Sequence, residues 1–191
     1  MSNLNTIYNR VSTWNSKRYD RVHDLSLTAR LLREELNEFY QSVEDVHKLD
    51  ALCDVVYVAL GGIWKSDICE TQMNYDLSLA HTMVMDLMRA NVLNPVHFIG
   101  AFINAMEHDI DLPATLALQC IVNLAFIEMQ QMGLNLEQCY KALEVVCDSN
   151  DTKSIPSEKV DPSVKANTNK GALFVAPEPR LQQILDGRYV N

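Results

Sequence analysis

The chain of 191 residues has no glycine before Gly61 and no proline before Pro95. These two residue types interrupt helices most strongly, so their absence, with frequent leucine, valine, alanine and glutamate, predicts long helices in the first half. No apolar run approaches the length of a membrane span, so we expect no contact with a membrane. No convincing strand pattern occurs either, and the sequence therefore predicts an all-α fold.

Basic residues are scarce: the chain has 16 lysine and arginine residues against 25 aspartate and glutamate residues, and its formal net charge is -9. Such a chain lacks the basic surface that sequence-independent nucleic-acid binding requires. It also lacks the glycine-rich motifs that bind phosphates, and its histidines lack the HxxxH spacing of zinc sites. A nucleotide substrate is compatible with this charge if metal ions supply the positive charge.

The five cysteines form no CxxC pair, and their number is odd. Cys53, Cys120 and Cys147 lie in apolar helical stretches, so we interpret them as buried small side chains in a reducing compartment. No basic start followed by a short apolar segment indicates a signal peptide. We therefore expect a cytoplasmic protein.

Periodicity and capping signals predict seven helices followed by a tail. Asn94 before Pro95, and Asn135 with Gln138 three residues later, are typical helix starts. The predicted helices cover residues 4–15, 23–45, 48–65, 74–90, 95–108, 113–132 and 136–149.

The composition changes near the end of the last predicted helix, where prolines and polar residues become frequent. We expect residues 1–154 to form one domain. Residues 155–191 are predicted to form an extended tail that packs on the body or on a second subunit, with a short helix near 179–186.

Two groups of carboxylates in the second and third predicted helices are the strongest functional signal. Glu34, Glu35 and Glu38 form the first group. Asp50 and Asp54 form the second. Carboxylates three or four residues apart share one helical face, where like charges destabilise a helix. An antiparallel hairpin of these helices would bring the groups together, and their repulsion would require cations. Oxygen-only ligands of this kind suit Mg²⁺ or Mn²⁺ rather than Zn²⁺.

The two groups differ in how specific they are. Glutamates are common on exposed helix faces, so the EExxE pattern alone has low specificity. Asp50 and Asp54 are more informative, because aspartate is less favourable inside a helix and an almost wholly apolar run, residues 55–60, follows them. Aspartates at such a place are expected to point inward, where a charge needs a partner.

Residues 33–39 followed by residues 50–58 resemble the MazG-like all-α NTP pyrophosphatase superfamily. That group includes phosphoribosyl-ATP pyrophosphohydrolases, dimeric dUTPases and dCTP pyrophosphatases, and its signature is EExxE, a gap, and then ExxD. The residues that match the signature are Glu34, Glu35, Glu38 and Asp54. Ala51 stands where the signature has its fourth glutamate, and Asp50 is the natural substitute.

A second stretch, residues 133–137 and 145–153, resembles the family ending GIDLEEAF…VHxSNMSK. The match makes Asn150 and Lys153 candidates for phosphate contact, although Lys153 can also be read as a solvated tail lysine. Relative to the shortest family members, residues 66–130 look like a helical insertion.

Several other side chains near the acidic groups allow two interpretations. Tyr57, three residues after Asp54, is a candidate to stack on a base or contact a phosphate, and the alternative is a core tyrosine. Trp14 is interpreted as packing in the first helix rather than capping a base pocket. Lys65 is interpreted as a surface lysine rather than a phosphate ligand.

The resemblance implies an antiparallel helical bundle, active as a homodimer or homotetramer. It implies Mg²⁺-dependent hydrolysis of a nucleoside triphosphate, with a deoxynucleotide favoured, to the monophosphate and pyrophosphate in nucleotide-pool housecleaning. Glu35, Glu38, Asp50 and Asp54 would hold the metal. Glu34 would be a further ligand or would orient the attacking water.

Two alternatives stay open. The alanine at position 51 is compatible with a non-catalytic helical binding module that retains the fold. Hydrolysis of phosphoribosyl-ATP is the other, and the long insertion argues against it.

Overall fold

The computed structural model describes residues 4–66, 70–90, 94–108, 113–156, 158–159 and 170–187, with only the backbone at 70–78 and 90. These parts of the chain form eight helices and no strand, which confirms the all-α fold. The helices are α1 (Leu4–Ser16), α2 (Leu25–Gln41), α3 (Asp45–Lys65), α4 (Glu70–Ala90), α5 (Pro95–Glu107), α6 (Ala114–Gln131), α7 (Leu136–Asp151) and α8 (Glu178–Leu185). None of the described helices has the length and apolar character needed to cross a membrane.

Both predicted capping motifs are confirmed. The side chain of Asn94 accepts a hydrogen bond from the backbone N–H of Val96 at 2.8 Å, and Pro95 occupies the first turn of α5. At the start of α7, Asn135 and Gln138 exchange two bonds of 2.9 Å between side chain and backbone. Such a reciprocal pair satisfies two backbone donors that the first turn of a helix leaves free.

The connection between α2 and α3 comes earlier in the chain than the sequence predicts. α2 ends at Gln41 rather than at residue 45, and α3 begins at Asp45. Ser42 ends α2, because its hydroxyl and its backbone N–H both donate to the carbonyl oxygen of Glu38, at 2.7 and 3.0 Å. A serine side chain that satisfies a terminal carbonyl competes with continuation of the helix. The short connection lets α2 and α3 pack together as the predicted hairpin.

The core is centred on α3 and α6. α3 contacts α1, α2, α6, α7 and α8, and α6 contacts α3, α4, α5 and α7. The three cysteines predicted to be buried are buried, and Cys139 is buried with them. The region 66–130, interpreted above as an insertion, supplies α4 to α6, so part of it lies in the core rather than at the periphery.

The short helix predicted near residues 179–186 is present as α8, Glu178–Leu185. Leu181 and Ile184 are buried, and α8 packs against α3 and α7. Arg180 donates to the carboxylate of Asp148 on α7 at 2.8 Å. This part of the predicted tail therefore packs on the body of the same chain.

Candidate functional site

A cavity of about 190 Å³ lies between α1, α2, α3 and the end of α7. Five residues singled out in the sequence are among the described residues that line it: Glu35, Asp54, Tyr57, Asn150 and Lys153. They come from three separate stretches of the chain, so only the fold can bring them together. The cavity is the candidate functional site.

Helical spacing explains which side chains reach this cavity. On α3, Asp54 is followed by Tyr57 three residues later and by Gly61 seven residues later, and all three line the cavity. A Cβ atom at position 61 would lie 3.3 Å from the side-chain nitrogen of Asn15. The glycine therefore allows α1 to approach α3 closely at the end of the cavity.

Trp14 packs against Tyr57, and the two rings form an aromatic wall of the cavity. The two rings meet edge to face with centroids 5.7 Å apart. The indole N–H donates to the backbone carbonyl of Asn150 at 2.9 Å. Burial is the main cause that raises the pKa of Tyr57 well above its ordinary value. Tyr57 therefore lines the cavity as a neutral side chain.

Lys153 faces carboxylates, rather than standing in solvent as a tail lysine. Burial lowers the pKa of its ammonium group, while Asp54, Asp50 and Glu35 act in the opposite direction. A partly buried ammonium group among carboxylates is placed to donate to the oxygens of an anionic ligand.

Asp50 points inward, as predicted from the apolar run that follows it. One of its carboxylate oxygens is buried and has no hydrogen-bond partner within the described residues. The pKa of Asp50 rises to about 8, mainly because of burial, with further contributions from Asp54, Glu178 and Glu38 and a smaller opposing effect of Lys153. Asp50 thus lies in a group of like charges that one lysine offsets in part.

The four predicted metal ligands do not all line the cavity. Glu35 and Asp54 line the cavity, whereas Asp50 lies beside it and interacts electrostatically with the exposed Glu38. Glu34 is not among the described lining residues. Nowhere in the described part of the chain do three acidic, histidine or cysteine side chains stand close enough to hold a metal ion. Metal binding by these carboxylates stays a prediction.

Arg18 contacts two residues of the site, Trp14 and Lys153, and carries no signal in the sequence. It is only 2% exposed, it stacks on Trp14, and its guanidinium group donates to the backbone carbonyl of Lys153 at 2.8 Å. Arg18 and Trp14 together attach the segment after α7 to α1. An arginine in a polar stretch after a helix is usually exposed, so its role follows only from the packing of α1 against α7.

Lys65 corrects a second expectation. The sequence predicts a surface lysine, but Lys65 is 8% exposed and lines the cavity, and its ammonium nitrogen lies 5.8 Å from the centre of the Tyr19 ring. Burial lowers the pKa of its ammonium group. It adds a second lysine to the lining of the cavity.

A larger cavity, of about 470 Å³, lies on the other side of Trp14 along the outer face of α1. None of the residues predicted from the acidic motifs lines it. We therefore take the smaller cavity, whose lining includes Glu35, Asp54 and Lys153, as the candidate site.

Comparison of the chain with protein-family models, with curated proteins and with solved structures yields no match.

Proposed function

We propose that the protein is a Mg²⁺-dependent nucleoside triphosphate pyrophosphohydrolase that converts a nucleotide, preferably a deoxynucleotide, to its monophosphate and pyrophosphate. One observation carries the proposal. Five residues chosen from separate sequence motifs line a single cavity that combines two carboxylates, a lysine and an aromatic wall. The resemblance of the two acidic motifs to the MazG-like superfamily supports the same reaction.

The acidic residues fit a hard divalent cation in their donor chemistry. Glu35, Glu38, Asp50 and Asp54 offer only oxygen ligands, as Mg²⁺ and Mn²⁺ prefer. The buried, unpartnered oxygen of Asp50 is the kind of atom that a cation satisfies. When bound, the cation would neutralise phosphate oxygens of the substrate.

The side chains of the cavity would divide the remaining work. Lys153 and Asn150 would donate hydrogen bonds to phosphate oxygens, and Trp14 with Tyr57 would contact the base. Glu34 or Glu35 would accept a proton from water as the water oxygen attacks the α-phosphorus. The bond from that phosphorus to the bridging oxygen would break, and pyrophosphate would leave with the electron pair.

The size of the cavity limits how much of the substrate it encloses. At about 190 Å³ it is smaller than most ligand pockets, which hold roughly 300–1,000 Å³. We therefore propose that the cavity holds only one part of the nucleotide, and that the triphosphate lies against Asp54 and Lys153.

The decisive experiment is pyrophosphate release from all canonical and several modified nucleoside triphosphates, and from phosphoribosyl-ATP, with Mg²⁺ and Mn²⁺. Lys153→Met should lower the rate by about 100-fold or more, since loss of one group that stabilises developing charge has effects of that size. Lys159→Met is the matched control, because Lys159 is exposed and pairs with Asp20. Release from none of these substrates, together with no metal binding in calorimetry, would contradict the proposal.

A non-catalytic binding module is the second candidate, and Ala51 at the position of an expected glutamate favours it. Glu38→Gln separates the two. In an enzyme the substitution should abolish turnover, whereas in a binding module nucleotide affinity measured by calorimetry should change little. A homodimer or homotetramer belongs to the enzyme proposal, and analytical ultracentrifugation tests it.

A further inference from the structure

The larger cavity, of about 470 Å³ on the outer face of α1, takes no part in the proposed reaction. Its volume lies within the range of roughly 300–1,000 Å³ that small-molecule sites have. The described residues that line it include three cations, Arg10, Lys17 and Arg18, and a single acid, Asp151. Because the whole chain has a formal net charge of -9, this local excess of positive charge makes the cavity a place where an anion is favoured.

Arg10 is the one of these cations whose charge is already compensated. Its guanidinium group forms ion pairs with Asp148 at 2.9 Å and with Asp151 at 2.6 Å. The same ion pairs hold the acid of the lining, so Asp151 is engaged by Arg10. An anionic ligand would therefore be attracted mainly by the other two cations.

Arg18 is a buried cation without a counter-ion. It is only 2% exposed, and within the described residues it forms no ion pair, since Asp151 acts on it only at longer range. Its guanidinium group donates to the carbonyl oxygens of Trp14, Lys153 and Ser154 at 3.4, 2.8 and 3.4 Å. Its Nε atom is buried without a hydrogen-bond partner in the described part of the chain. The ring of Trp14, 4.1 Å away, stabilises part of the charge. A buried charge is costly unless a group of opposite sign pairs with it, so an anion in this cavity would lower the cost.

Lys17 and the polar side chains of α1 complete a lining that is rich in hydrogen-bond donors. Lys17 is exposed and has no ion pair among the described residues. Thr6, Asn9 and Thr13 line the cavity at intervals of three and four residues, so they share one face of α1. Hydroxyl, amide and ammonium groups all donate to phosphate oxygens, and two cations without a counter-ion suit a group of double negative charge. Ile155 adds apolar surface for the remainder of a small molecule.

We propose that the cavity along α1 binds the phosphate group of a small phosphorylated molecule, with Lys17 and Arg18 as the cations that balance its charge. This site requires neither a metal ion nor the acidic residues of the smaller cavity, so it does not depend on the proposed function. Trp14 lines both cavities, and Arg18 donates to the backbone carbonyl of Lys153. The ligand would therefore bind next to the segment that carries Lys153 into the smaller cavity.

The fluorescence of Trp14 measures this binding without any turnover. The chain has two tryptophans, so Trp64→Phe leaves Trp14 as the only reporter, and Arg18 stacks on its ring. We expect inorganic phosphate, in metal-free buffer, to change the Trp14 emission in a saturable way that sodium chloride at equal ionic strength does not reproduce. Phenyl phosphate should bind more tightly, because its ring adds apolar contact. Lys17→Met in the same background should weaken phosphate binding about tenfold, the usual effect of losing one charge-assisted hydrogen bond.

Lys48→Met is the matched control, because it removes the same charge from the first turns of α3, and Lys48 does not line the cavity. It should bind phosphate like its parent. Arg18→Met should abolish binding if circular dichroism shows that it keeps its helices, and the exposed Lys17 carries the test if it does not. Phosphate binding that Lys17→Met leaves unchanged, or no saturable binding at all, would overturn the inference. Loss of binding in Lys153→Met but not in Lys17→Met would assign the phosphate to the smaller cavity, which overturns the inference while the proposed function stands.

Discussion

Asp50→Asn tests the electrostatic description of the site, because the substitution removes the ionisable group but keeps its shape. A pKa of about 8 for Asp50 in the folded protein, against ~3.9 for an unfolded aspartate, predicts that the folded state retains this proton at pH values where the unfolded chain has lost it. Between those values the folded state binds the extra proton, so the free energy of unfolding falls as pH rises. The slope is at most about 1.4 kcal/mol per pH unit.

The size of the effect follows from that slope. From about pH 4 to pH 7, the contribution of Asp50 should lower the free energy of unfolding of the wild type by up to ~4 kcal/mol. The variant lacks the ionisable group, so its free energy of unfolding should not show this decrease. A buried amide without partners costs about 1 kcal/mol at every pH, so only the pH dependence isolates the charge. In the presence of a chelator, the free energy of unfolding of the variant should therefore rise steadily relative to that of the wild type as the pH rises.

Urea denaturation followed by helical circular dichroism, at a series of pH values in chelator, measures this difference. Asp86→Asn is the control, because Asp86 is an exposed residue whose ion pair with Arg89 is on the surface. It should shift the free energy of unfolding by no more than about 0.5 kcal/mol at any pH. Parallel pH profiles for the wild type and Asp50→Asn would refute the reasoning.

Adding Mg²⁺ should make the wild type more stable than Asp50→Asn, which reverses their order in chelator. A cation at about 100 times its dissociation constant stabilises the folded state by ~2.7 kcal/mol, and only a chain that retains the carboxylate gains this amount. An equal Mg²⁺ response of wild type and variant would show that Asp50 is no part of a cation site.

Two further predictions concern packing around the site. Gly62→Ala should lower the free energy of unfolding by about 1–3 kcal/mol, because its Cβ would lie 2.8 Å from Thr28 Cγ2. Gly100→Ala is the comparison, since its Cβ would make only an ordinary van der Waals contact of 3.7 Å with Leu36 Cδ2. It should be neutral or stabilising by up to about 1 kcal/mol in the same denaturation experiment. Leu181→Ala should cost about 2–5 kcal/mol and raise amide exchange in α8, while Gln182→Ala on the exposed side should leave both unchanged. A stable Gly62→Ala variant, or slow exchange in Leu181→Ala, would contradict the packing described.

Much of the fold could be predicted because its signals are local. The caps at Asn94 and Asn135 depend on side chains within three residues, and the spacing of apolar residues determines which face of each helix is buried. The cavity-lining position of Asp54 is predictable for the same reason, because a charge that leads into an apolar stretch of helix is expected to face the interior or a cavity.

Other features depend on contacts between distant segments, which a single sequence does not report. Arg18 and Lys65 look like ordinary surface cations, and they are buried only because α1 lies against α3 and α7. Glu178 resembles any acidic residue at a helix start, and its electrostatic effect on Asp50 depends on how α8 packs against α3. The early end of α2 was missed because the pattern of apolar residues continues past Ser42, and a single hydroxyl stops the helix.

The hydrogen bond from Trp14 to Asn150 joins residues that are 136 positions apart, and this has a consequence for folding. Closing so long a loop is slow compared with forming a hairpin of adjacent helices, so α2 and α3 should associate before α7 covers them. Until that moment the carboxylates face water, which screens their repulsion. The repulsion between the carboxylates is therefore expected to reach its full strength only in the final folding step. The fluorescence of Trp14 should report when that step occurs.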